Sequence, residues 1–247
     1  MTIQFKTMKK ILALSITILT LHACGPSPEE IQKREKAKQD SIQLAELKQK
    51  EIEEQQRIHE EKIEVGKSIK RTKLNNYLKM AEAKIKEENQ KLSKINEFQI
   101  GRSSSTKSKQ LSEQRQVIRE LEKFKEALEY EISHTHLHQS YEFQETPEGT
   151  VHYLFDAAKS EDHSKLRDLL DPYGQFDDEA FSICLVEMYP SDMKAQWKNE
   201  FANGRIMGTP KINNEFAEIE IAMGISSNRL ETLRLVNRQG RWYILGF

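Results

Sequence analysis

Ala217-Glu218-Ile219-Glu220-Ile221-Ala222-Met223 sets Ala217, Ile219, Ile221 and Met223 on one side of an extended chain, against Glu218, Glu220 and Ala222 on the other. Successive side chains of a strand point to opposite faces, so this period of two predicts a half-buried β-strand. The alternation returns at Leu233 and Leu235, set against Thr232, Arg234 and Val236. Asn237-Arg238-Gln239-Gly240 then reads as a turn, and Trp242 to Phe247 as a last strand. Upstream the period changes to 3.6. Ser191-Asp192 opens a helix carrying Trp197 and Phe201 at i,i+4 and ending at Asn203-Gly204. Leu166, Leu169 and Leu170 mark a shorter helix stopped by Asp171-Pro172. Thr146-Pro147-Glu148 pairs a hydroxyl cap with a first-turn proline, ahead of an apolar face of Val151, Leu154, Phe155 and Ala158. Helices first and an antiparallel meander afterwards predict an α+β domain over 147–247.

This order resembles the nuclear transport factor 2-like fold, a cystatin-like cone of curved antiparallel sheet wrapped on a helix. The resemblance is carried by Thr146-Pro147-Glu148-Gly149-Thr150-Val151 leading to Phe155-Asp156-Ala157-Ala158, and by Asp168-Leu169-Leu170. It continues in the hairpin Leu233-Arg234-Leu235-Val236-Asn237 to Gly240-Arg241-Trp242-Tyr243-Ile244. What it implies is a cone and a pocket, with Tyr153, Phe155 and Trp197 as pocket candidates. The family holds isomerases, dehydratases and noncatalytic binding modules, so the fold alone implies no reaction.

The preceding segment has another chemistry. Glu29 to Ile132 is rich in Lys, Glu, Gln and Arg, lacks Pro, Trp and Cys, and holds only the glycines Gly66 and Gly101. Such composition favours long helices over a wide core. Leu74, Leu78, Ala81, Ile85, Glu88, Leu92 and Ile95 alternate spacings of four and three, as do Leu111, Gln114, Ile118, Leu121, Lys125, Leu128 and Ile132. That spacing keeps one seam facing a partner helix. A turn near 101–106 pairs Leu74 with Ile132, Leu78 with Leu128, Ile85 with Leu121 and Ile95 with Leu111, an antiparallel coiled-coil hairpin. Earlier apolar residues, from Ile42 to Ile63, drift around the helix, and Gly66 is expected to kink or break it. Residues 24–28 read as a tether and 134–146 as a linker.

The first residues read as a signal. Lys6, Lys9 and Lys10 precede an apolar run from Ile11 to Leu21, and Leu21-His22-Ala23-Cys24 follows. A run of about eleven residues is shorter than the ~20 that span a bilayer as a helix. The tetrad resembles the lipobox of bacterial lipoproteins, which implies cleavage after residue 23 and lipidation of Cys24 by palmitate-like acyl chains. Gly25 rather than Asp after the cysteine resembles the pattern sorted to the outer membrane.

Composition bounds the chemistry. The chain is 31% charged with a net charge of −1, so nothing in its totals points to nucleic acid. With Cys24 acylated, Cys184 has no disulfide partner, and its apolar neighbours mark it as a small buried hydrophobe. His134, His136 and His138 are weak metal candidates, with Glu142 and Glu145 nearby. Glu187 is the one carboxylate in an apolar run and is expected on a wet helix face. No phosphate loop, Ser-His-Asp order or paired CxxC motif appears, and no cofactor is implied. The expected role is therefore a noncatalytic interaction or scaffold lipoprotein, held to the membrane by its lipid and serving an envelope protein partner. The alternative is a small-ligand carrier or isomerase-like enzyme. The first requires a cone filled by Phe155, Trp197, Ile219 and Leu233; the second requires a pocket of roughly 300 Å³ or more with a convergent acid–base pair.

Overall fold

The computed structural model describes residues 27–97, 104–134 and 139–247. Cys24, Gly101, His136 and His138 lie outside them. The architecture is α+β: long N-terminal helices, then shorter helices and a curved four-stranded antiparallel sheet. Helix α1 runs Pro28–Glu97 and α2 Ser104–Ser133. Then come α3 (Pro147–Ser160), α4 (Asp178–Leu185) and α5 (Ser191–Phe201), with 3₁₀ turns at Glu142–Glu145, Leu166–Leu169 and Val186–Met188. The strands β1 (Arg205–Asn213), β2 (Phe216–Met223), β3 (Arg229–Arg238) and β4 (Arg241–Gly246) form a meander in sequence order. Among the described residues no helix is long and apolar enough to cross a membrane.

The chain divides into two units, residues 1–54 and residues 55–247. In the first, α1 from Pro28 to Glu54 is exposed at every position, including Ile31, Ile42, Leu44, Leu47 and Ile52. In the second, one core joins Leu74 and Ala81 of α1, Phe124 and Leu128 of α2, and the inner face of the sheet. Ile219 pairs with Leu233 and Leu235 with Ile244 across the ladder, and all four are buried. The Thr146 hydroxyl accepts from the Gly149 N–H at 3.0 Å and caps α3. The expected linker carries the Glu142–Glu145 turn, whose Gln144 is fully buried.

The helices run antiparallel. Lys107 donates to the Asn96 carbonyl at 2.7 Å, Gln114 to the Glu88 carboxylate at 2.7 Å, and Lys70 to Glu131 at 2.8 Å. Lys70 already meeting Glu131 displaces the register by about one helical turn from the expected Leu74–Ile132 pairing. The cause is a third partner. Phe124, outside the expected seam, is buried edge-on against Tyr189, while the expected seam residue Lys125 faces Glu82 and Glu129. The hairpin thus turns its faces to the domain as well as to itself.

Gly66 does not break the helix, because α1 continues through it. A Cβ there would lie 2.0 Å from the Pro172 carbonyl oxygen, so glycine is required by close approach rather than by flexibility. Gly66→Ala should raise intrinsic helix propensity by ~1 kcal/mol yet lower stability by about 1–3 kcal/mol through overpacking. A thermal midpoint followed by circular dichroism checks it, and an unchanged or raised midpoint would refute the close contact.

The hydrogen bonds of Lys91 and Gln114 hold the Glu88 carboxyl at about 2, below its ordinary 4.5. A depressed folded value contributes stability above the unfolded value and loses it as pH falls. The wild-type melting temperature should therefore drop more steeply between about pH 4.5 and pH 2 than that of Glu88→Gln. Parallel curves for the two proteins would remove Glu88 as the cause.

Candidate interaction site

Among the described residues, those expected to carry chemistry do not converge. Phe155 is buried, its ring against Gly204, where a Cβ would come within 2.2 Å of it. Tyr153 stacks on Phe143 with ring centroids 4.2 Å apart, and burial pushes its phenol up to about 12. Trp197 is buried elsewhere, edge-on to His163 and tilted against Phe201. Ile219 and Leu233 are buried in the same core. Glu187 stands at the surface, paired with Arg167. His134 stacks on Tyr130 at the end of α2, and Glu145 binds Arg241 at 2.9 Å. Among the described residues no three His, Cys, Asp or Glu side chains are placed to hold a metal. Burial pushes the Cys184 thiol up to about 12, which keeps it protonated and unreactive.

Two polar arrangements escape sequence reasoning, because their members come from distant segments. Asp168 accepts from the Gln139 N–H and the Tyr141 hydroxyl, each at 3.1 Å, and so fastens the middle of the expected linker to the Leu166–Leu169 turn. The second centres on Arg238 of β3, itself buried. Its guanidinium donates to Asp171 at 2.9 Å, to Glu215 at 2.8 Å and to the Gln175 side chain at 2.7 Å, and lies 4.6 Å from the Tyr173 ring centroid. The other Asp171 oxygen accepts from the Gln175 N–H at 2.9 Å. The loop 171–175 is thereby held rigid, and it seats α1. Tyr173 meets His59 Nδ1 at 2.6 Å, and Gly174, with φ +81°, approaches Gly66 and Ile69.

A groove of about 550 Å³ lies between α2 and the segment from Met188 to Lys194. Tyr130, Met188, Tyr189 and Pro190 supply its apolar surface, and Arg167 crosses its floor between Glu131 and Glu187. Glu120 accepts from the Ser191 N–H at 3.0 Å, which ties α2 to the start of α5. These carboxylates are engaged in ion pairs or hydrogen bonds.

No family model, no curated protein and no solved structure matches the chain.

Arg238→Leu should leave the Asp171 carboxylate buried without its cation and cost about 3–5 kcal/mol in urea denaturation. Adding Asp171→Asn should recover part of that loss, and additive losses would show that the two side chains are not coupled.

Proposed function

We propose that the chain is a lipid-anchored envelope lipoprotein that works as a noncatalytic interaction or scaffold module. What supports the noncatalytic half is the burial of Phe155, Trp197, Ile219 and Leu233 together in one core. The anchoring half rests on the order of basic residues, apolar run and Leu21-His22-Ala23-Cys24. Acyl chains on Cys24 contribute ~0.8 kcal/mol per buried CH₂ and hold the membrane firmly when there are several. Gly25 after the cysteine favours the outer membrane. The exposed, charged α1 segment from Pro28 to Glu54 then stands between lipid and domain in sequence, as a spacer would. The nuclear transport factor 2-like resemblance adds a precedent for noncatalytic binding modules, and the helices-then-meander order is compatible with it. The partner is an envelope protein, met at the surface.

Labelling cells with a fatty-acid analogue tests the anchor. Wild type should carry the label and sediment with membranes, and Cys24→Ser should lose both; equal labelling of the two proteins would sink the anchor. A photocrosslinker at Lys123 or Lys194, beside the α2 groove, should trap one discrete envelope protein. Trapping of a small molecule instead would count against the scaffold role.

A further inference from the structure

We infer that the groove between α2 and the segment from Met188 to Lys194 docks an extended, acidic segment of a protein partner that also carries an apolar side chain. The inference rests on the scaffold reading above and names the chemistry of the partner. The groove has a volume of about 550 Å³, within the roughly 300–1,000 Å³ of pockets that enclose a ligand. Helix α2 lines it with Glu120, Lys123, Ala127, Tyr130 and Glu131, a single stripe at helical spacing. From Glu120 to Tyr130 the rise is about 15 Å, the length of about four or five residues of extended chain.

Charge is the first argument, and it turns on which groups are already engaged. Glu131 is held by Lys70 and Arg167, Glu187 by Arg167, and Glu120 by the Ser191 N–H. Lys123 and Lys194 also line the groove, and neither makes an ion pair among the described residues. Lys123 is one turn along α2 from Glu120, and Lys194 is one turn along α5 from Ser191. The Glu120–Ser191 contact therefore brings both lysines to one end of the groove. An entering carboxylate meets two free ammonium groups there. A basic segment would meet only carboxylates that already hold a donor.

The apolar surface is the second. Tyr130 is 63% exposed, although its ring stacks on His134 with centroids 4.1 Å apart. Met188, Tyr189 and Pro190 supply the facing wall, and Phe124 holds Tyr189 edge-on from behind. The Glu120–Ser191 hydrogen bond and the ion pairs of Arg167 fix these walls before a partner arrives. A preformed site spares the cost of ordering it on binding.

The length of the groove selects a protein segment over a free anion or a lipid surface. Lys123 and Tyr130 stand about 10 Å apart along α2, two turns of helix. A free carboxylate would occupy the cationic end and leave the Tyr130 end bare. A headgroup layer presents its charge in a plane, whereas these groups line a concave groove. An extended chain with acidic residues about three or four positions from an apolar side chain spans the same distance and meets both ends.

The full chain in detergent, ¹³C-labelled at its methionine methyl groups, is titrated with acetyl-Asp-Glu-Ser-Ala-Phe-amide. Acetyl-Lys-Lys-Ser-Ala-Phe-amide and acetyl-Asp-Glu-Ser-Ala-Gly-amide are the controls. Met188 reports on the groove, and Met80, 65% exposed on α1 and outside its lining, is the reference. The acidic phenylalanine peptide should shift the Met188 signal saturably, leave Met80 in place and bind at least fivefold tighter than either control. Lys123→Gln with Lys194→Gln should weaken it at least fivefold and Tyr130→Ala at least threefold, with thermal midpoints confirming that the variants fold. Absence of a saturable shift, equal binding of the basic peptide, or undiminished binding by the folded lysine variant would each overturn the proposal. Equal binding of the glycine peptide, or no loss in Tyr130→Ala, would overturn its apolar half. Displacement of the peptide by phosphatidylglycerol micelles and not by phosphatidylcholine micelles would overturn the protein source. A photocrosslinker at Lys123 that traps an envelope protein while the peptides fail to bind would keep the scaffold role and reject this partner chemistry.

Discussion

The contact of Gly66 in α1 with the loop 171–175 is the constraint on which the rest of the second unit depends. Two backbones meet there with no side chain between them. A Cβ on Gly66 would fall on Pro172, and one on Gly174 would sit 3.1 Å from the Gly66 Cα. A helix glycine ordinarily costs about 1 kcal/mol relative to alanine, and here close approach requires it. Once that point is fixed, helical geometry places His59 beside Tyr173 and brings Ile69 against Gly174. Leu74 and Tyr77 then follow on the face that meets the core and Phe181. The seat is equally determined from the other side, because Arg238 grips Asp171, Gln175 and the Tyr173 face at once.

Buried ions extend the same logic. Glu131 of α2, buried like Arg238, accepts from Lys70 of α1 at 2.8 Å and from Arg167 at 3.3 Å. One carboxylate thereby registers two helices and the Leu166–Leu169 turn. Such pairs are weak sources of net stability, because desolvation offsets much of the attraction. They do penalise misregister, since a helix slipped by one turn would strand a buried charge. That penalty explains how a charge-rich hairpin with only a few buried apolar residues keeps a single alignment.

Legibility from sequence followed periodicity. The alternation at Ala217–Met223 and Leu233–Leu235, the Thr146-Pro147 start and the Trp197–Phe201 pair each became the expected element. Strand β1 was hidden because it is an edge, half-buried only at Ile206 and Pro210, and irregular around Gly208, whose φ is +79°. Helix α4 was hidden for the opposite reason: Ala180, Phe181, Ile183, Cys184 and Leu185 are all buried, so no polar face marks a helical period. Phe124 and Glu131 fall outside the expected seam, Asp171 reads as part of a helix stop and Arg238 as part of a turn, and only tertiary contact reveals their roles. Of the residues lining the cleft between α4, α5 and β3, Trp197 alone was named as a pocket candidate. Glu179, Glu200, Arg229 and Glu231 come from three elements, and no local pattern unites them.

The protonation chemistry argues in the same direction as the packing. A general acid or base works best with a pKa near the operating pH. Here burial moves such groups away from neutrality: the Tyr153 and Tyr243 phenols and the Cys184 thiol go up to about 12, and burial lowers His163 from its ordinary 6.5. Glu88, sunk at about 2 by its hydrogen bonds, stays ionised. The two phenols and the thiol are thereby kept protonated near neutrality. The charges left able to respond to a partner are on rims and exposed helix faces, where a long-range field steers association and short contacts select the partner.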